Sequence, residues 1–188
     1  MKRVFLDKDG TLVKTISGET FVQSPEDQEL IEGVSERLLQ MEANGWSFSI
    51  VTNQGGVAAG HKSLVDAFDE IRYCISLLPV QVDEAFLCPD FEGNRCFMVD
   101  STGSSYPMIQ AEYDDNDRFY YRLTVDGVEP SGVIGKCRKS DKRDGAGMLR
   151  LAARHGGDRF LMIGDRPEDK KAAEDFGCQF IDASDWIL

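Results

Sequence analysis

A short apolar run, Val4 to Leu6, leads straight into Asp7, and Asp9 follows before Gly10 lets the chain turn away. Residues two apart on an extended strand face the same way, so this spacing sets two carboxylates side by side. Their repulsion is relieved when a cation sits between them or one of them carries a proton. A turn explains Asp9-Gly10 equally well, but it leaves Asp7 unexplained. Three further clusters stand out, two of them where a strand runs into a polar loop and one on the approach to a helix. SIVTNQGG, residues 49–56, offers the Thr52 hydroxyl, the Asn53 amide and a glycine pair, all suited to donating to an anion. CRK, residues 137–139, supplies Arg138 and Lys139, a pair that on many surfaces is only solvated. MIGDRPED, residues 162–169, ends a hydrophobic strand at Gly164-Asp165 and places Asp169 in the first turn of a helix, where an acid is also good helix-starting chemistry. Each cluster is modest alone; their order, spacing and placement at strand ends together carry more than any one of them.

The elements that must position these residues alternate. Strands are expected at Val4–Leu6, Phe48–Val51, Ala85–Leu87, Phe160–Ile163 and Phe180–Ile181. A helix is expected over residues 25–42, with Ile31, Val34, Leu38 and Met41 at helical spacing and Asn44-Gly45 as its stop. A second starts at Ser63 with an S-x-x-D signal and carries Leu64, Phe68, Ile71 and Ile75 on one stripe. Met148, Leu149 and Ala152 mark a third, closed by Gly156-Gly157, and Pro167 to Phe176 a fourth, stopped by Gly177. Alternating strands and helices argue for an α/β fold, a Rossmann-like parallel sheet with helices on both faces. In such sheets ligands bind at the carboxyl ends of the strands, where all four clusters sit. Residues 88–138 break the rhythm with FYYRLTV (119–125), the Asp126-Gly127 turn and the acidic EYDDND (112–117), and read as a small flap. One domain spanning 1–188 is expected, with that insertion at about 88–138.

The net charge of −12 disfavours nucleic acid and anionic membranes unless positive residues gather locally. The five cysteines are scattered, the N-terminal apolar run is too short for a signal peptide, and no apolar stretch is long enough to cross a membrane. A cytoplasmic, monomeric protein of a reducing compartment is expected. His61, in the loop behind Thr52-Asn53, is either a substrate contact or a solvated residue; His155 sits at a helix end. Neither supports a zinc protease or a Ser-His-Asp site.

Taken together, D-x-D-G-T at Asp7, T-N at Thr52, R-K at Arg138 and G-D-x-x-x-D at Gly164 resemble the haloacid dehalogenase-like hydrolase superfamily. The resemblance runs from Asp7 to Asp169. It implies that Asp7 is a nucleophile forming an aspartyl-phosphate and that Asp9 is the general acid/base. It implies that Thr52 and Lys139, with Asn53 nearby, hold the phosphoryl group. It further implies a Mg²⁺ ion on Asp7, the backbone carbonyl of Asp9 and Asp165, with Asp169 supporting. Asp9 argues against the superfamily's dehalogenases, which need no proton for halide, and favours phosphatases.

More narrowly, FLDKDGTLV, QSPEDQELIEGV, VTNQGGVAAG, CPD and CRK look like the branch of heptose bisphosphate and histidinol-phosphate phosphatases, with polynucleotide 3′-phosphatases in the same neighbourhood. The stretch between Asp7 and Thr52 has no room for a large cap domain. Arg138 matches a substrate-binding residue. The branch implies a small phosphate ester as substrate; a polynucleotide 3′-phosphatase is the alternative, kept open by Arg138, Lys139, Lys142 and Arg143. A catalytically silent phosphate-binding protein is the alternative of another class. Two departures stand out. Ser140 to Asp144 intervene where relatives carry proline, and the Zn²⁺ ligands of many relatives are only partly matched. Cys88 and Cys137 fit the outer zinc positions, Asp90 and Gly135 replace inner ones, and Cys96 is a stand-in; the alternative is a flap with no metal and small buried cysteines.

Overall fold

The computed structural model describes residues 1–91, 93, 95–113, 119–123 and 147–188. In chain order the elements are β1 (Lys2–Leu6), β2 (Val13–Lys14), β3 (Glu29–Leu30), α1 (Val34–Ala43), β4 (Trp46–Asn53), α2 (Leu64–Leu77), β5 (Val82–Cys88), β6 (Arg95–Asp100), β7 (Ser105–Tyr113), β8 (Phe119–Leu123), α3 (Gly147–Ala152), β9 (Arg159–Gly164), α4 (Pro167–Phe176), β10 (Gln179–Asp182) and α5 (Ala183–Trp186). Eight strands form one sheet in the order β10-β9-β1-β4-β5-β6-β7-β8. From β10 to β5 all pairs are parallel, so their carboxyl ends share one edge.

Side chains alternate along these strands and build a core on each face. On one face Val4, Leu6, Phe48, Ile50, Leu87 and Ile163 pack with Val34 and Leu38 of α1, Ile71 of α2 and Trp186 of α5. On the other, Phe5, Val51, Phe86 and Met162 pack with Met148 and Leu149 of α3 and Ala172 and Ala173 of α4. Phe5 stacks on Phe160 at 5.7 Å between ring centroids, and Phe176 meets both edge-on at 5.3 and 5.2 Å. That trio fastens α4 across β1 and β9. The expected α/β class with helices on both faces is therefore what the chain adopts.

Several expectations need correction. The helix expected over 25–42 starts only at Val34: Glu29-Leu30 instead pairs antiparallel with Val13-Lys14, and Gly33 takes φ 88°, a left-handed geometry that interrupts any helix before it. On α2 the fully buried stripe is Ala67, Glu70, Ile71 and Cys74, with Leu64, Phe68 and Ile75 at its margin. The sheet is not parallel throughout. In the segment expected as a flap, β6, β7 and β8 continue it antiparallel. The connection over 89–94 is too short for the crossover that a parallel strand requires, so the chain must reverse. Glu112 and Tyr113 of the acidic run belong to β7, whereas the Asp126-Gly127 turn lies outside the described residues. The short α5 was not expected at all.

The S-x-x-D signal works as a reciprocal cap: Asp66 N donates to Ser63 Oγ at 3.1 Å and Ser63 N to Asp66 Oδ2 at 2.8 Å. Hydrogen bonding from Ser63 holds the Asp66 carboxyl below its ordinary value. Its contribution is thus present at neutral pH and lost as the pH falls through that lowered value. Ser63→Ala is expected to cost about 1 kcal/mol in urea unfolding with an unchanged m-value, and the gap from wild type should narrow in acid. An undiminished gap where Asp66 is protonated would show that the cap owes nothing to its charge.

Candidate active site

β1 lies between β9 and β4, and the residues leaving these three carboxyl ends meet. Asp7 follows β1 directly, and its N–H donates to Ile163 O at 3.0 Å, prolonging the pairing with β9 by one residue. Asp165 follows β9, and Asp169 sits in the first turn of α4. One carboxylate oxygen from each of Asp7, Asp165 and Asp169 lies within 4.8 Å of the others. Asp7 and Asp169 are buried, while Asp165 is at the rim, 3.6 Å from Arg166 Nε. Asp169 Oδ2 also accepts from Arg166 N at 3.1 Å, so the carboxylate is tied to the start of its helix.

Two glycines make this gathering sterically feasible. Gly10 turns at φ 82°, and a Cβ there would stand 2.3 Å from Asp165 Oδ2. At Gly164 a Cβ would meet Asp169 Oδ2 at 2.2 Å and its Cβ at 2.4 Å. Three hard oxygen donors converging from three backbone positions fit a small divalent cation, which prefers carboxylate and water oxygens. Among the described residues this is the one place where three metal-ligating side chains come together.

Asp9 is placed differently. Its Oδ1 accepts from Lys8 Nζ and its Oδ2 from Gln54 Nε2 at 3.0 Å. The same Gln54 Nε2 donates to Thr52 Oγ1 at 2.9 Å, linking the ends of β1 and β4. Burial works to raise the Asp9 carboxyl, but the Lys8 charge and hydrogen bond, then Gln54, outweigh it and hold the group below its ordinary value. Lys8 is wholly buried. Desolvation works to lower its ammonium, yet Asp9 above all keeps it raised and charged. Behind it, Lys62 Nζ bonds both oxygens of Glu70 at 2.8 and 2.6 Å, and burial pushes Glu70 upward in spite of that partner.

The structure thus brings together Asp7, Asp165 and Asp169, and beside them Asp9 and Thr52. Asn53 ends β4, partly buried. Arg138, Lys139, Cys137 and Gly135 lie outside the described residues. Cys88, Asp90 and Cys96 do not form a three-ligand group: Cys88 Sγ turns to the Asp90 carbonyl at 3.3 Å, the Asp90 carboxylate accepts from Arg95 N at 3.0 Å, and both thiols sit within the second apolar core. The zinc expectation therefore finds no support among the described residues. His61 is exposed on its loop, and His155 lies beyond the end of α3. Lys8, Gln28, Gln54, Lys62 and Glu70 were missed. The available signals were a lysine flanked by two aspartates in an otherwise apolar segment, and a glutamate on the apolar stripe of α2.

Comparison with known proteins bears on these residues. The model of the polynucleotide kinase 3 phosphatase family matches residues 2–119, a span holding Asp7, Asp9, Thr52 and Asn53 but ending before Asp165. The chain is 42% identical over 184 residues to the D-glycero-beta-D-manno-heptose-1,7-bisphosphate 7-phosphatase of Haemophilus ducreyi, covering 94% of this chain and 79% of that protein. It is 34% identical over 157 residues to the histidine biosynthesis bifunctional protein HisB of Legionella pneumophila, covering 76% of this chain but only 38% of that longer protein. Among solved structures, the D,D-heptose 1,7-bisphosphate phosphatase from B. bronchiseptica complexed with magnesium and phosphate shares the fold, with a TM-score of 0.58 at 22% identity over 96% of this chain and 79% of that one.

The tight approach at Gly164 gives a direct test of the carboxylate cluster. Gly164→Ala is expected to force Asp169 outward and weaken Mg²⁺ binding, measured by titration calorimetry, by about 10–100-fold, as for loss of a residue supporting a metal ligand. Unchanged affinity in a folded variant would show that Asp169 takes no part in holding the ion.

Proposed function

Because the chain belongs to the polynucleotide kinase 3 phosphatase family, within the haloacid dehalogenase-like phosphatases, it is a phosphoric monoester hydrolase, and we propose that its substrate is a small phosphorylated metabolite of the sugar phosphate or histidinol phosphate type. The observation that carries the residue assignment is the convergence of Asp7, Asp165 and Asp169 at adjacent strand ends, with Asp9 and Thr52 beside them.

In this reading a carboxylate oxygen of Asp7 attacks phosphorus, and the bond from phosphorus to the leaving oxygen breaks. Asp9 gives its proton to that oxygen, releasing an alcohol. Asp9 then takes a proton from water, the water oxygen attacks phosphorus, and the bond to Asp7 breaks to free phosphate and restore the carboxylate. An incoming phosphoryl anion pushes Asp9 back upward against Lys8, as any near like charge does. Thr52, Asn53 and Lys139 grip the phosphoryl oxygens, and Arg138 contacts the rest of the substrate. Mg²⁺, when bound by Asp7, Asp165 and the Asp9 carbonyl with Asp169 in support, supplies charge neutralisation, the main requirement of phosphoryl transfer. Among the described residues no helix is long and apolar enough to cross a membrane, and Cys74, Cys88 and Cys178 are free thiols. We further propose that the protein acts as a monomer in a reducing cytoplasm.

Asp7→Asn is expected to abolish turnover while the protein stays folded, since an amide is no anionic nucleophile. Asp9→Asn should lose about 10²–10⁴-fold in kcat. Both are read with Mg²⁺ on a panel of sugar phosphates, histidinol phosphate, nucleotides and 3′-phosphorylated oligonucleotides. Retained activity in metal-loaded Asp7→Asn would refute the covalent route.

The family description favours a second reading, removal of a 3′-phosphate from a polynucleotide. The net charge of −12 argues against it. If nucleic acid were the substrate, binding would fall with salt at a log–log slope of about −0.7 per phosphate neutralised. The expected result is a nearly flat response for the preferred substrate. A steep slope on an oligonucleotide, removed by neutralising Lys142 and Arg143, would replace the metabolite with a strand end.

A further inference from the structure

Lys8 is wholly buried in the structure. Burying an ammonium costs several kcal/mol unless close partners offset it, so its surroundings ask for a reason. Lys8 Nζ donates to Asp9 Oδ1 and to Gln28 Oε1 at 3.0 Å, and lies 4.0 Å from Glu70 Oε2. Gln28 is itself pinned, its amide donating to Pro25 O at 2.7 Å and Glu70 O at 3.0 Å. Glu70 binds Lys62, Lys62 Nζ donates to Gln54 Oε1 at 3.1 Å, and Gln54 Nε2 returns to Asp9 Oδ2. The contacts close a ring: Asp9, Lys8, Glu70, Lys62, Gln54 and back to Asp9. Each oxygen of Asp9 has its own donor, one reaching from the core and one from the loop after β4.

A charge-neutralising role for Lys8 alone would not require this ring. Glu70 already has Lys62, and the Asp9 side chain is 45% exposed and accessible to water. Nor would it require that Gln54 share one amide nitrogen between Asp9 and Thr52. We propose that Lys8 and Gln54 are positioning residues, which fix the Asp9 carboxylate from two sides at the distance from Thr52 that proton transfer to the leaving oxygen needs. The inference rests on the reading of Asp9 as general acid/base. Lys8 acts through Asp9, and Gln54 through Asp9 and the Thr52 hydroxyl that it also holds.

The test uses the full chain loaded with Mg²⁺ and two probes, 4-nitrophenyl phosphate with a good leaving group and phenyl phosphate with a poorer one. Lys8→Met keeps the length of the side chain and removes the ammonium. Gln54→Met does the same for the amide at a loop position, and carries the same readout should Lys8→Met fail to fold. Each is expected to lower kcat for phenyl phosphate by about 10–100-fold, the scale of a misplaced catalytic group, with KM little changed and a smaller loss on 4-nitrophenyl phosphate. Placed on an Asp9→Asn background, Lys8→Met should add almost nothing, because the group it positions is gone. Equal losses on the two probes, or a Lys8→Met loss that multiplies with Asp9→Asn, would overturn the proposal and leave a structural network. Should Asp9→Asn itself show no dependence on the leaving group, the acid/base reading fails first, and that outcome is distinct from the other two.

Discussion

Three like charges drawn into one small volume are the constraint around which this protein is built. Oxygens of Asp7, Asp165 and Asp169 lie within 4.8 Å of one another. At 4 Å a pair of unit charges repels by about 4 kcal/mol in a protein-like dielectric, against a whole-domain stability of about 5–15 kcal/mol. Such a cluster needs rigid backbone behind every member. β1 has a neighbour on each side, Asp7 extends its pairing to β9, and the Phe5–Phe160–Phe176 trio clamps α4. The amino end of α4 offers partial positive charge to Asp169, easing part of the repulsion.

Asp9 shows the opposite solution to the same difficulty. The fold supplies its counter-charge from within, as Lys8, whereas the three carboxylates around Asp7 converge at one point and fit a divalent cation. Two carboxylates two residues apart thus live in different electrostatic worlds. One is open to a divalent cation, the other tethered by an ammonium and an amide.

Much of this was legible in the sequence. Strand, loop and helix signals around Asp7, Thr52 and Asp165 are local, and the rule that ligands collect at carboxyl strand ends placed them together. The stop at Gly177 and the cap at Ser63 followed from backbone chemistry alone. What was not legible depends on partners remote in sequence. Residues 29–30 fall within the span 25–42 that the spacing of Ile31, Val34, Leu38 and Met41 marks as helix, yet pairing with β2 takes them. The antiparallel run β6 to β8 offered no helix to declare its direction. Lys8 and Glu70 each look like ordinary surface charges until the contact between them, 62 residues apart, is seen; Glu70 on the stripe with Ala67, Ile71 and Cys74 was the clue that period counting discards.

The mixed sheet has a further consequence. The acidic residues of the site leave the ends of β9 and β1 and the start of α4, while β6, β7 and β8 extend the sheet outward from β5, with Arg72 of α2 donating to Gly103 O in the turn between β6 and β7. A change in the length or side chains of β7 or β8, the outermost strands, would therefore leave the pairing of β9, β1 and β4 untouched.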